Sequence, residues 1–108
     1  MIEKYTYKGE GYEILMSFGE WTVALLRYEK RFSEFDQLER HLQTDEAFVL
    51  LEGEARLYTD TESVSMEKGT LYNIPKGEWH HIVVSRDASV LIVENSNTSP
   101  DNTERKML

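Results

Sequence analysis

Apolar residues along this chain fall in short runs separated by turn residues. YEILMSF (Tyr12–Phe18) and WTVALLRY (21–28) are rich in aromatic and branched side chains, with Gly19 and Glu20 between them as a hairpin turn. AFVLL (47–51) is apolar on both faces of a strand, which predicts cover on both sides. Gly53 breaks it and ARLYT (55–59) follows, with Asp60 and Thr61 as a turn. Met66-Glu67-Lys68-Gly69 is a further turn signal, and TLYNI (70–74) is a strand closed by Pro75-Lys76-Gly77. HIVVS (81–85) and VLIVE (90–94) form a hairpin around Arg86 and Asp87. Many short strands with regular turns predict an all-β sandwich or barrel. One segment conflicts. SEFDQLERHLQ (33–43) carries Phe35, Leu38 and Leu42 at helical spacing behind Ser33 as a candidate N-cap, which on periodicity alone predicts a helix, while a competing signal makes its second half a strand. From Asn95 the chain turns polar (NSNTSPDNTERKML), a tail expected to be partly ordered, with Met107 and Leu108 able to dock.

A length of 108 residues suits one domain, spanning 1–108, with a barrel over about 12–94 and the tail at 95–108. No apolar run approaches the ~20 residues of a membrane-spanning helix. The stretch MIEKYTYKGEGYE has no basic start followed by an apolar stretch, so no signal peptide is expected. Cysteine is absent, which excludes disulfides, thiolate metal sites and a cysteine nucleophile, and fits a reducing, cytoplasmic setting. The net charge of −8 disfavours nucleic acid and anionic membranes as partners. Most of these carboxylates, among them Glu52, Glu54, Glu62 and Glu67, are read as a solvated rim.

The three histidines are His41, His80 and His81. His41 precedes Glu46 by five residues, and Glu46 opens the most apolar strand. His80 follows the Pro75–Gly77 turn and opens another. A barrel can bring those strand mouths together, and two imidazoles with one carboxylate suit Fe(II), Mn(II), Ni(II) or Zn(II) with positions left for a substrate or water. Spacing alone leaves the alternative open that His41 and Glu46 form a surface pair and His80 merely edges a strand.

Two segments resemble the paired motifs of the cupin superfamily. The first has Glu39-x-His41, four residues, Glu46, six residues, Gly53; the family pattern is H-x-H, three or four residues, E, six residues, G. The second has Gly69, five residues, Pro75-x-Gly77, two residues, His80, three residues, Val84, where the family pattern ends in asparagine. "TDEAFVLLEGEARL" and "NIPKGEWHHIVV" are also similar in wording to small bacterial single-domain cupins. The resemblance implies a single antiparallel β-barrel of jelly-roll form, with His41, Glu46 and His80 as metal ligands. The family's three-histidine, one-glutamate set becomes at most two histidines and two glutamates, because Glu39 stands where the first histidine would be. Glu39 is then a fourth ligand, a catalytic base beside the metal, or an outward residue paired with Arg40 or Arg27. Each ligand imidazole should have its other nitrogen held by an acceptor. His81, next to His80, points the other way by strand alternation and is expected at the surface or an interface. Trp79 shares that outward side as a packing anchor.

Three functions stay open. One is a metal-dependent enzyme converting a small polar metabolite by oxygenation, isomerisation or lyase chemistry. Another is a non-catalytic barrel that binds or senses a small ligand. The third is a metal-free isomerase or epimerase in which His41 or His80 moves a proton. No Arg or Lys is tied to either motif, so a phosphate has no evident anchor. Strands apolar on both faces need a partner sheet or chain, so a homodimer is expected, as the resemblance also implies.

Overall fold

Extended runs and glycine turns generate ten strands. They are β1 (Tyr12–Phe18), β2 (Trp21–Arg27), β3 (Gln37–His41), β4 (Glu46–Glu52), β5 (Ala55–Thr59), β6 (Ser63–Ser65), β7 (Leu71–Ile74), β8 (His80–Val84), β9 (Ser89–Asn95) and β10 (Thr103–Met107). The computed structural model describes residues Met1–Leu108. One sheet runs β1-β2-β9-β4-β7 and the other β10-β3-β8-β5-β6, with every ladder antiparallel. This is the jelly-roll architecture expected from the sequence. No helix is long and apolar enough to cross a membrane.

The core lies between the sheets. Alternation sends Ala24 and Leu26 of β2, Phe48 and Leu50 of β4, Ile82 and Val84 of β8, and Val90 and Ile92 of β9 inward, where all are buried. Each large apolar side chain so buried contributes roughly 1.5–3 kcal/mol. Gly53 turns β4 into β5 with φ +74°, and a Cβ there would lie 2.6 Å from the Cα of Ala88. Both the backbone conformation and the close approach demand glycine.

The helical periodicity of 33–43 yields no helix, and its second half is a strand, as the competing signal predicts. Lys30–Phe32 forms a single 3-10 turn and Gln37–His41 is β3. Its three apolar residues serve different surroundings rather than one helix face: Phe35 stacks on Tyr58 (4.1 Å between centroids), Leu38 is buried, and Leu42 is exposed. The polar tail is ordered by backbone pairing, as β10 runs beside β3 from Thr103↔His41 to Met107↔Gln37. Met107 and Leu108 do not dock; both side chains are exposed.

Candidate metal and ligand site

Four strands deliver carboxylates and imidazoles to one end of the barrel. Glu39 of β3 lies opposite His80 of β8, and Glu46 of β4 lies opposite Glu94 of β9. Paired residues share a sheet face, so each pair points the same way. The turn before His80 is tied to these strands by its own polar groups. The Gly77 N–H donates to the His41 carbonyl (2.7 Å). The Asp45 carboxylate accepts from the Lys76 N–H (2.9 Å) and the Asn73 amide (3.1 Å), which fastens the start of β4 to the same turn.

His41, Glu46 and His80 converge. The Nε2 atoms of His80 and His41 lie 3.0 and 3.3 Å from the same Glu46 oxygen, Oε1. The far side of each ring is held as well: His80 Nδ1–H donates to the Glu78 carbonyl (3.1 Å), and His41 Nδ1 hydrogen-bonds Thr103 Oγ1 (3.0 Å). With Nδ1–H of His80 committed to a carbonyl, its Nε2 meets the carboxylate either as an imidazolium N–H or as a lone pair with a cation between them. Glu39, His41 and His80 offer donor atoms within 4.8 Å of one another, as do His41, Glu46 and Glu94.

Glu39 faces the same cavity but is divided between two partners. Its Oε1 is 3.8 Å from His41 Nε2, and its Oε2 accepts from Arg105 Nε of β10 (3.1 Å). Neither Arg40 nor Arg27 is its partner; Arg40 pairs with Glu104. His81 does point to the opposite face of the sheet, but it is not at the surface. The 3-10 turn and the chain after it cover it, with Phe32 and Phe35 stacked alongside at 6.3 Å and Nε2 on the Glu34 carbonyl (3.1 Å). Trp79 is half-buried between Arg40 and Lys106, 4.4 and 4.5 Å from its ring centre.

Sequence reasoning missed Glu94, Tyr12, Thr103, Arg105 and Arg31, all of which line the cavity. For Glu94 a signal existed: Val90, Ile92 and Glu94 alternate onto the inner face of one strand. Tyr12 donates to Glu94 Oε1 (2.8 Å), while Glu94 Oε2 is buried with no partner. The cavity has a volume of about 590 Å³ and an apolar wall of Leu26, Phe48, Ile82 and Ile92. That size suits a small metabolite.

Charge is strongly coupled here. Burial works against ionised Glu46, but hydrogen bonds and charge from His41 and His80 outweigh it and hold the carboxyl well below its ordinary range. Burial likewise opposes protonation of both imidazoles, and Glu46 overcomes it, raising His41 and His80 above their usual value. Burial, then the neighbouring Glu46 charge, push Glu94 up to about 7. Burial and then Glu94 raise the Tyr12 phenol. The site can therefore hold a cation, or hold and move protons near neutrality.

The family model of the Cupin domain matches residues 32–94. No curated protein sequence matches the chain. Among solved structures, a cupin-2 domain protein from Shewanella frigidimarina is similar at 22% identity, with TM-score 0.69 over 82% of this chain and 84% of that one. Pac13 from Streptomyces, described as a unique nucleoside dehydratase and also solved with uridine, is 12% identical, with TM-score 0.73 over 100% of this chain and 93% of that one. KdgF from Halomonas sp. is 13% identical, with TM-score 0.66 over 92% and 91%. These likenesses are likenesses of fold. Since the family model spans more than half of the chain, including Gly53, the Pro75–Gly77 turn and the strands that carry His41, Glu46 and His80, the chain belongs to the cupin superfamily.

Proposed function

We propose that this cupin holds a divalent metal ion through His41, Glu46 and His80 and binds or converts a small polar metabolite in the cavity above it. The carrying observation is the meeting of two imidazole Nε2 atoms on one buried carboxylate oxygen, with both Nδ1 atoms held from behind. Iron, manganese, nickel and zinc all suit this N2O set. Such an ion supplies Lewis acidity, polarising a substrate carboxylate or hydroxyl. The chain's own residues handle the rest. Glu39, with Oε1 facing His41, is a fourth ligand or the catalytic base. Thr103 and the Glu78 carbonyl orient the rings. The apolar wall excludes water from one side of the ligand. The setting is cytoplasmic, and the working unit is a homodimer.

Isomerisation and lyase chemistry both need a proton moved next to a polarised group. The structural likeness to a nucleoside dehydratase supports the lyase class. A metal-free version of that chemistry is the second reading, favoured by Glu94, whose carboxyl titrates near 7 in the cavity beside Tyr12. Metal content decides between them. Protein purified without chelator should carry stoichiometric metal in wild type and lose it in His80→Ala. Equal content in both, or none in either, leaves the metal-free version standing. Retention in Glu39→Ala with loss in His41→Ala limits the ligands to three.

A further inference from the structure

The cavity is lined by arginines as well as carboxylates. Among its carboxylates Glu46 is buried and Glu94 half-buried, whereas the cations that line it, Arg31 and Arg105, have half-exposed side chains that reach solvent. They come from outside both sequence motifs, one from the 3-10 turn and one from β10. In a chain of net charge −8, these two arginines are the cations that line the cavity. Each holds a carboxylate through Nε alone: Arg31 on Glu29 (3.1 Å) and Arg105 on Glu39 (3.1 Å). Neither makes another hydrogen bond within the protein, although a guanidinium has five N–H donors arranged to grip two oxygens at once. Ser96, Thr98 and Ser99 line the same cavity, the Thr98 hydroxyl donating to the Asn95 carbonyl (3.2 Å).

We propose that the ligand is an oxyanion on an apolar or planar body, its carboxylate or phosphate taken by Arg105, with Arg31 as second cation, so that Arg105 leaves Glu39. The body rests on the wall of Leu26, Phe48, Ile82 and Ile92. Glu39 already turns its other oxygen toward His41, so losing Arg105 frees it to join the ion or accept a proton. Ligand binding and completion of the site are then one event, and anion and metal strengthen each other's binding. The capture of the anion stands on the two arginines. Only the release of Glu39 rests on the metal proposed above.

Benzoate, phenyl phosphate and neutral benzyl alcohol are the probes, titrated by calorimetry into wild type, Arg31→Gln, Arg105→Gln and Arg105→Lys. At least one anion should bind saturably, about tenfold or more tighter than the alcohol, the scale of one charge-assisted pair. The stronger of the two anions identifies carboxylate or phosphate. Arg105→Gln should erase the preference, Arg31→Gln reduce it, and Arg105→Lys keep part of it. The Arg105 side chain is 58% exposed, so these variants should melt with wild type, and matched melting curves verify that they are folded. The alcohol binding as tightly as the anions, no saturable binding of either anion, or full preference in Arg105→Gln would overturn the proposal. Zinc affinity, measured with and without benzoate or phenyl phosphate, should rise with the anion in wild type and ignore it in Arg105→Gln. Zinc affinity indifferent to the anion in wild type overturns the release of Glu39. Anion preference persisting in protein that binds no zinc defeats the metal reading and leaves the capture intact.

Discussion

Glu46 accepts two imidazoles on one oxygen while a second carboxylate, Glu94, sits across the ladder. Without a cation in the site, protons neutralise these carboxylates, which fixes the sign of the pH dependence. Glu94 keeps its proton up to about 7 in the fold, against an ordinary 4.5 in the unfolded chain. A raised acid stabilises the fold fully below 4.5, and that contribution is lost as pH climbs through about 7. The raised imidazoles act in the same direction from 6.5 upward. Glu46, lowered, acts oppositely: its contribution is present above 4.5 and lost as pH falls through its depressed value. Chelator-treated protein should therefore have its highest melting temperature on the acid side of neutrality and melt earlier toward alkaline pH. Glu94→Gln should flatten the descent between 4.5 and 7. Calorimetric melting across this range is the check, and a melting temperature rising steadily from acid to alkaline pH would contradict the assignment. Metal binding should run the other way, weakening in acid as protons compete for both imidazoles.

At the scale of elements, legibility in the sequence follows how local the cause is. Gly53 and the Pro75–Gly77 turn were readable because their geometry is dictated by their own residue types, and His41, Glu46 and His80 follow in register from them. For β3 periodicity misleads, because its apolar residues fall at helical spacing although they pack against different neighbours, and only the Glu39-x-His41 motif points to a strand. The three-residue β6 offered no apolar alternation at all. β10 reads TERKM and is held by its ladder to β3, and backbone pairing leaves no mark in side-chain pattern. That is why its two contributions to the site, Thr103 and Arg105, could not be foreseen. Burial of His81 was hidden for a related reason: alternation gives the face a residue points to, but not what crosses over it. The importance of β10 can be measured through Thr103. Thr103→Val removes the hydroxyl that orients His41 but keeps the β-branched shape and the ladder. Metal affinity should fall about 10–100-fold, the usual cost of losing such an orienting partner, with the melting temperature of the metal-free protein nearly unchanged. Thr103→Ser should restore it. Unchanged affinity in the valine variant would show that Thr103 does not orient the ring.

At the scale of the molecule, the first sheet has an outer face as apolar as its inner one. Register aligns Leu25, Leu91, Val49 and Leu71 in one row across β2, β9, β4 and β7. Met16, Val23, Val93 and Ala47 form the next row. Leu71 is 62% exposed, and the hairpin beside these rows adds exposed Phe18 and Trp21. Contiguous apolar surface of this kind is uncommon on a monomer, and a stable dimer needs about 1,200–2,000 Å² of it in total. It is the face through which the proposed homodimer should form. Light scattering at micromolar concentration should give two chains for wild type and one for Leu91→Glu, with Leu71→Glu as a variant less able to disturb the fold. A wild-type monomer would refute it. The second sheet's border has a different consequence. β10 lies beyond the stretch that defines the family, and its side chains are mostly exposed, so substitutions there cost the barrel little. Yet Arg105 sits on it, opposite Glu39. A lineage could retain the ancestral core and ligand positions while drift along a few border residues changes which molecules the pocket accepts. Of the residues proposed to hold the ligand, Arg105 is thus the one whose replacement would disturb the scaffold least.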